Sequence, residues 1–277
     1  MTKRAIVISA SSDIGAAMCK RWRKEGWDVA GTYRTRSADV EELEKLDVTM
    51  VACDLSDKGS VDEACAELDK KFGQWDVMVV APGAQEPVGL FLDCDIDEWS
   101  DSIDVNFVNQ LRVTHKLLPS RNIETENGPC VLYFAGGGTN NAVPFYSAYT
   151  ISKIALIKIC ELLDAEVVDT RFSIIGPGWV KTKIHDATLK AGADVVGANY
   201  ETTKLKLASD ECTPVDTVLD SCDWVISQPR DVVGGRNFST VFDKWGTEGL
   251  EKALRENPDM YKLRRFGNDI KVETEGN

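Results

Sequence analysis

Ala5-Ile6-Val7-Ile8-Ser9-Ala10-Ser11-Ser12-Asp13-Ile14-Gly15 is the stretch on which the fold turns. Its first four residues are an unbroken apolar run, as expected of a strand buried on both faces. Small polar residues follow, then a helix-like run through Ala16, Met18 and Trp22. A loop of this kind suits phosphate. N–H groups point out of the helix N-terminus, and small side chains let a pyrophosphate come close. Ser9, Ser11, Ser12, Asp13, Ile14 and Gly15 are therefore candidate cofactor-binding residues. A plain βα turn reads the same way, and a dinucleotide fingerprint has three glycines where this loop has one.

Outward from the loop the alternation repeats. Trp27 to Tyr33 is a second strand and Val48 to Cys53 a third, followed by Asp54-Leu55 and a helix of mixed charge from Ser56 to Phe72. Trp75 to Ala81 is a fourth strand, turned by Pro82-Gly83-Ala84. Asp97 to Leu118 reads as a long helix, because Trp99, Ile103, Phe107, Leu111, Thr114 and Leu118 recur at helical steps. Pro129 to Ala135 is a fifth strand, running into Gly136-Gly137-Gly138-Thr139-Asn140-Asn141. A helix-like run from Phe145 to Leu163 follows, then a sixth strand from Arg171 to Ile175, ended by Gly176-Pro177-Gly178. Val215 to Ser227 is a further helix and Gly235 to Val241 the last strand. The pattern predicts an α/β fold, a Rossmann-type doubly wound parallel sheet of about seven strands with helices on both faces. No composition break marks a second domain, so residues 1–277 read as one domain. Between 179 and 213 the alternation stops, and this stretch is expected to be a substrate lid insertion. Residues 244–277 read as a charged C-terminal extension with one helix at Glu248 to Arg255.

The totals exclude several functions. The formal charge is −13, from 32 basic and 45 acidic side chains, which argues against nucleic-acid binding and against docking on an anionic membrane. The eight cysteines form no CxxC pair, and with two histidines no zinc spacing appears, so no metal is expected. Scattered thiols suggest a reducing, cytoplasmic setting. No apolar run reaches the length of a membrane span, and a strand starting near Arg4 leaves no room for a signal peptide.

Within the helix after the glycines, Tyr149 and Lys153 stand four residues apart and so share a face. A free tyrosine has a pKa of about 10 and is a poor acid–base catalyst at neutral pH. A neighbouring ammonium favours phenolate and is expected to lower that value. Such a pair gives a proton to a carbonyl oxygen or takes one from an alcohol. Asn106 falls on the inner face of the long helix. A buried amide must be hydrogen-bonded, so it either satisfies backbone or holds water near a site. After the second strand, where an NAD-binding chain has an acid for the ribose 2′-OH, this chain has Arg34 between Thr32 and Thr35. Arginine suits a 2′-phosphate, so NADP(H) is expected over NAD(H), with solvated surface arginines as the alternative.

The order of these features resembles the short-chain dehydrogenase/reductase family from Arg4 to about Val241. The matching parts are the glycine loop, Asp54-Leu55, Asn106, Tyr149-x-x-x-Lys153, Pro177-Gly178 and Thr182. The resemblance implies Tyr149 as the acid–base residue, Lys153 as its partner and nicotinamide-ribose ligand, and Asn106 as the holder of a relay water. It further implies Asp54 and Leu55 at the adenine, Ala81 and Gly83 along the cofactor, and Gly178 and Thr182 at the nicotinamide end. Helices 97–118 and 149–163 would then pack a homodimer or homotetramer. Three departures stand out. Ser9 and Asp13 occupy the places of the family's first two loop glycines. Val80-Ala81-Pro82-Gly83 replaces its Asn-Asn-Ala-Gly. Gly136 stands where its catalytic serine belongs. Loss of such a donor costs on the order of 10²–10³ in rate, and Thr139 or Asn140 is expected to substitute. Gly136, Thr139, Asn140 and Tyr146 are the candidate substrate residues. The tail from Gly235-Arg236 through Phe242-Asp243-Lys244-Trp245 to Leu263-Arg264-Arg265 is loosely similar to family members of sugar and polysaccharide metabolism, implying a small polar, sugar-like carbonyl or alcohol substrate. Two other readings stay open: a non-catalytic NADP-binding regulator or partner protein on the same fold, and an epimerase or dehydratase using its cofactor transiently.

Overall fold

The computed structural model describes residues 2–266, so positions 267–277 of the expected C-terminal extension lie outside the described residues. From the N-terminus the chain runs β1 (Arg4–Ile8), α1 (Asp13–Lys24), β2 (Asp28–Tyr33), α2 (Ala38–Lys45), β3 (Thr49–Ala52), α3 (Lys58–Lys71), β4 (Val77–Val80), α4 (Ile96–Ile103) and α5 (Asn109–Leu117). It continues through β5 (Cys130–Phe134), α6 (Ser147–Glu166), β6 (Arg171–Gly176), α7 (Asp186–Ala191), α8 (Ala193–Val196), α9 (Ala198–Ala208), α10 (Val215–Ser227), α11 (Arg230–Val233), β7 (Asn237–Ser239) and α12 (Glu248–Glu256).

The unbroken apolar run of β1 has a direct cause. Successive strand residues face opposite sides. Ala5 and Val7 enter one core with Trp22, Leu132, Cys222 and Phe238, whereas Ile6 and Ile8 enter the other with Trp75, Tyr133, Leu156 and Phe172. Every described strand pairing is parallel, and the order is β3-β2-β1-β4-β5-β6-β7. The chain direction across the sheet reverses between β1 and β4. A crevice opens at the carboxyl ends of the strands at that point, as the topology of open α/β sheets requires.

Several elements depart from the sequence reading. The long helix of 97–118 begins at Ile96, capped by Asp95, whose Oδ1 accepts from the Asp97 and Glu98 amides at 2.8 and 3.2 Å. It is then widened into a π-helical turn at Asp104–Val108, which carries Asn106. Turns of this type recur at functional sites. The last strand is three residues, Asn237–Ser239, rather than 235–241. Gly235 takes a φ of +67°, outside strand geometry. Residues 186–208 form three short helices, α7 to α9. Among the described residues no helix is long and apolar enough to cross a membrane.

Candidate active site

The loop after β1 sets the site's floor. Ser9 sits at φ +66°, the left-handed turn that favours glycine, so a serine does follow the family turn here. Its amide donates to Thr32 Oγ1 at 2.9 Å, and the Ala10 amide donates to the Thr32 carbonyl at 2.8 Å. Ser12 caps α1: its Oγ donates to the Ser9 carbonyl at 2.8 Å and accepts from the Gly15 amide at 3.2 Å. Gly15 is needed for packing. A Cβ there would lie 2.5 Å from the Ser9 carbonyl oxygen. The amides of Ser11, Asp13 and Ile14 make no hydrogen bond among the described residues, which leaves them available to an anion.

Above this floor lies one cavity of about 1320 Å³. Of the candidate residues, Ser9, Ser11, Ser12, Asp13, Ile14, Arg34, Asp54, Leu55, Ala81, Gly83, Gly178 and Thr182 line it, as do Gly136, Thr139, Asn140, Tyr146, Tyr149 and Lys153. Gly15 and Asn106 do not. Arg34 forms no ion pair among the described residues, whereas Arg36 is held by Glu44 at 2.6 Å. Asp54 accepts from the Ser56 amide and hydroxyl, which hold its carboxyl below its ordinary value.

Tyr149 and Lys153 come together as the helical spacing requires, with Lys153 Nζ 5.7 Å from the Tyr149 ring centre. Their electrostatics correct one expectation. Burial pushes the Tyr149 phenol up to about 12, where the neighbouring ammonium was expected to pull it down. The reason is that Lys153 is itself desolvated: it is 2% exposed and pushed down to about 7. Its Nζ donates to the Pro82 carbonyl at 2.9 Å.

Asn106 is fully buried and clamps the loop after β4 in both directions. Its Oδ1 accepts from the Ala84 amide and its Nδ2 donates to the Ala84 carbonyl, each at 2.9 Å. Nδ2 also reaches Ser102 Oγ at 3.1 Å. Of the two roles left open for this amide, the structure displays backbone satisfaction. One helical turn on, Gln110 Nε2 donates to the same Pro82 carbonyl that Lys153 uses, at 3.2 Å. The spacing of Asn106 and Gln110 was visible in the sequence, but nothing there marked Gln110 as a partner of Pro82.

Gly136 explains the missing serine. A Cβ at this position would lie 2.8 Å from Tyr149 Cε1 and 2.9 Å from its oxygen, so the tyrosine ring fills the space a side chain would need. Thr139 and Asn140 carry no side-chain hydrogen bond among the described residues. Tyr146 is better fixed. Its hydroxyl is 2.8 Å from Thr188 Oγ1, which donates to Gln85 Oε1 at 3.3 Å. Gln85 comes from an irregular loop and Thr188 from the short helix α7, neither with a periodicity to flag it, and the sequence reading missed both. The 179–213 stretch adds Trp179, Ile184, His185, Asn199 and Thr202 to the wall. His185 stacks on Trp179 with ring centres 3.8 Å apart, and burial lowers its pKa, so it is neutral at physiological pH.

Comparison with known proteins agrees with this geometry. A family model described as enoyl-(acyl carrier protein) reductase matches residues 8–216. The serine 3-dehydrogenase of Agrobacterium fabrum is 29% identical over 247 residues, covering 84% of this chain and 91% of that protein. The short chain dehydrogenase tazN of Aspergillus terreus is 24% identical over 253 residues. The match covers 87% of this chain but 52% of tazN, so the chain spans about half that relative's length. The crystal structure of the KRED1-Pglu enzyme superposes with a TM-score of 0.75 at 23% identity, covering 85% of this chain and 100% of that one, which shows the shared fold. The extent of the family match identifies the chain as a member of the short-chain dehydrogenase/reductase family of nicotinamide-dependent oxidoreductases.

Proposed function

We propose that the protein is an NADP(H)-dependent carbonyl reductase, or alcohol dehydrogenase in reverse, acting on a small polar, sugar-like substrate. The observation that carries this reading is Tyr149 beside Lys153 in the cavity, with a phenol that keeps its proton at neutral pH. The residues present fit a dinucleotide. Amides at the start of α1 that have no partner among the described residues suit the diphosphate, and Arg34, without an ion pair among them, suits a 2′-phosphate. Asp54 and Leu55, which line the same cavity, would contact the adenine. Gly178, at φ +77°, has no room for a side chain, since a Cβ would meet Val241 Cγ2 at 2.4 Å.

When bound, a nicotinamide supplies or accepts the hydride at the substrate carbon. The chain's own residues handle the proton. Tyr149 donates from its hydroxyl to the carbonyl oxygen as negative charge gathers there; its raised pKa keeps the proton on the donor before the step. Lys153, anchored on the Pro82 carbonyl, stabilises the phenolate that remains whenever it carries its charge. Asn106 and Gln110 act by positioning: they pin the Ala84 and Pro82 backbone against which Lys153 is set. Residues 179–213 serve as the lid, presenting Thr188 and His185 to the substrate, and 1–277 act as one domain. The eight free cysteines, most of them buried, support a reducing cytoplasmic setting. Exposed Val108, Ile151 and Leu162 on the long helices support packing of a homodimer or homotetramer, to be checked by light scattering.

The test is a panel of aldehydes, ketones and keto-sugars with NADPH, run beside Tyr149→Phe. Turnover lost in the variant supports the reading, and equal turnover in both defeats it. A non-catalytic NADP-binding protein is the second reading, favoured by Gly136, where a serine in the family's place would press on the Tyr149 ring. It requires tight cofactor binding with no substrate turned over.

A further inference from the structure

The geometry points to Lys183 as a phosphate ligand of the cofactor groove, an assignment that rests on the reading of that groove as a dinucleotide site. Lys183 follows Thr182 at the root of the 179–213 segment and lines the cavity. Its backbone amide donates to Asp13 Oδ2 at 2.8 Å. Its ammonium lies 3.8 Å from Asp13 Oδ1 and 3.6 Å from Asp39 Oδ2.

Those two carboxylates mark the two places where a dinucleotide is most anionic. Asp13 is the first residue of α1, beside the free amides of the phosphate loop. Asp39 is in the first turn of α2, just after the segment that carries Arg34. Lys183 therefore reaches across the groove from the lid root to both phosphate positions. Its side chain is 70% exposed, and its partners' are 31% and 43% exposed. Ion pairs this open to water are weak and readily exchanged. A phosphate is the stronger partner, because it offers more charge and more acceptor oxygens than one carboxylate.

The assignment also accounts for Asp13 itself. A carboxylate among phosphate-binding amides repels an incoming anion, in a chain whose formal charge is already −13. Lys183 offsets that charge where it matters. Two other cations on the cavity wall are engaged elsewhere: Lys153 is committed to the Pro82 carbonyl, and Arg264 is held by Glu161 and Asp259. Because Lys183 grips Asp13 through its backbone as well, the lid root and the phosphate loop form one unit. Cofactor arriving at the loop thus meets the base of the substrate lid directly.

The experiment is equilibrium titration with NADPH and NADH, followed by tryptophan quenching or calorimetry at low and high salt. The proteins are the parent, Lys183→Met, Lys183→Arg and Asp13→Asn. Lys183→Met is expected to weaken binding about 5- to 10-fold at low salt, with less effect at high salt, and Lys183→Arg to restore most of it. A loss for both cofactors assigns the diphosphate, and a loss for NADPH alone assigns the 2′-phosphate. Asp13→Asn keeps an acceptor for the Lys183 amide while removing a charge, and is expected to tighten binding several-fold. Lys183→Met that binds both cofactors as tightly as the parent overturns the assignment while leaving the proposed function standing. A parent that binds neither cofactor overturns both.

Discussion

Restoring the family's serine at position 136 is expected to harm this protein. A Cβ on Gly136 would lie 2.8 Å from Tyr149 Cε1, 2.9 Å from the phenol oxygen and 3.0 Å from Lys153 Cγ. Carbon atoms rest at roughly 3.5–4.0 Å, so the tyrosine ring must retreat by about 0.7 Å or more. Overpacking of this kind costs about 1–3 kcal/mol, and in a chain of this size each kcal/mol lowers Tm by roughly 2–4 °C. Displacing the proton donor by about 1 Å costs on the order of 10²-fold in rate. Gly136→Ser should therefore melt several degrees lower and turn over about a hundredfold more slowly, with NADPH binding little changed. Gly137→Ser is the control, because a Cβ there meets nothing within 4 Å. The assay is a thermal melt together with steady-state NADPH consumption. A Gly136→Ser protein as stable as the parent and faster than it would refute the reasoning, and would mean that the chain merely lacks a donor.

Four further outcomes are expected. Tyr149→Phe should lose about 10²–10⁴ in turnover while its cofactor affinity, read by calorimetry, stays near that of the parent. Arg34→Ala should weaken NADPH by about tenfold or more and leave NADH nearly unchanged, since the guanidinium serves only the 2′-phosphate. Ser9→Gly should raise stability by about 1 kcal/mol in chemical denaturation, because glycine carries no penalty at φ +66°. Lys153 has a pH signature: its folded pKa of about 7 lies below the ordinary 10.5. The unfolded chain thus binds more protons between these values. The cost of burying the ammonium is full below pH 7 and fades as pH rises toward 10.5, a span worth a few kcal/mol at about 1.36 per pH unit. Lys153→Met should flatten that rise in denaturant-measured stability, and a parallel pH dependence in parent and variant would count against it.

The parts legible in the sequence were those with a local, repeated cause. The apolar runs of β1 and β4 follow from burial on both faces, and the Tyr149/Lys153 pairing follows from helical spacing alone. What escaped was set by tertiary context. Helix α2 buries only Val40 and Leu43 in a polar stretch, too few to show a period. The π-helical turn at Asp104–Val108 carries Asn106, whose partner, the Ala84 backbone, lies distant in sequence. Gly136 shows the same limit. As letters, it is a missing serine; in space, it is the seat of the Tyr149 ring. The sign of the Tyr149 shift was likewise illegible, because spacing shows that an ammonium is near but not that both groups are desolvated.

The most direct test of the account follows NADPH consumption by the parent and by Tyr149→Phe across carbonyl substrates, with NADPH affinity measured for both. The account expects both proteins to bind NADPH comparably, and the parent alone to consume it with at least one polar carbonyl compound. Equal consumption by the two would contradict the assignment of Tyr149, and tight binding with no consumption by the parent would hand the fold to the non-catalytic reading.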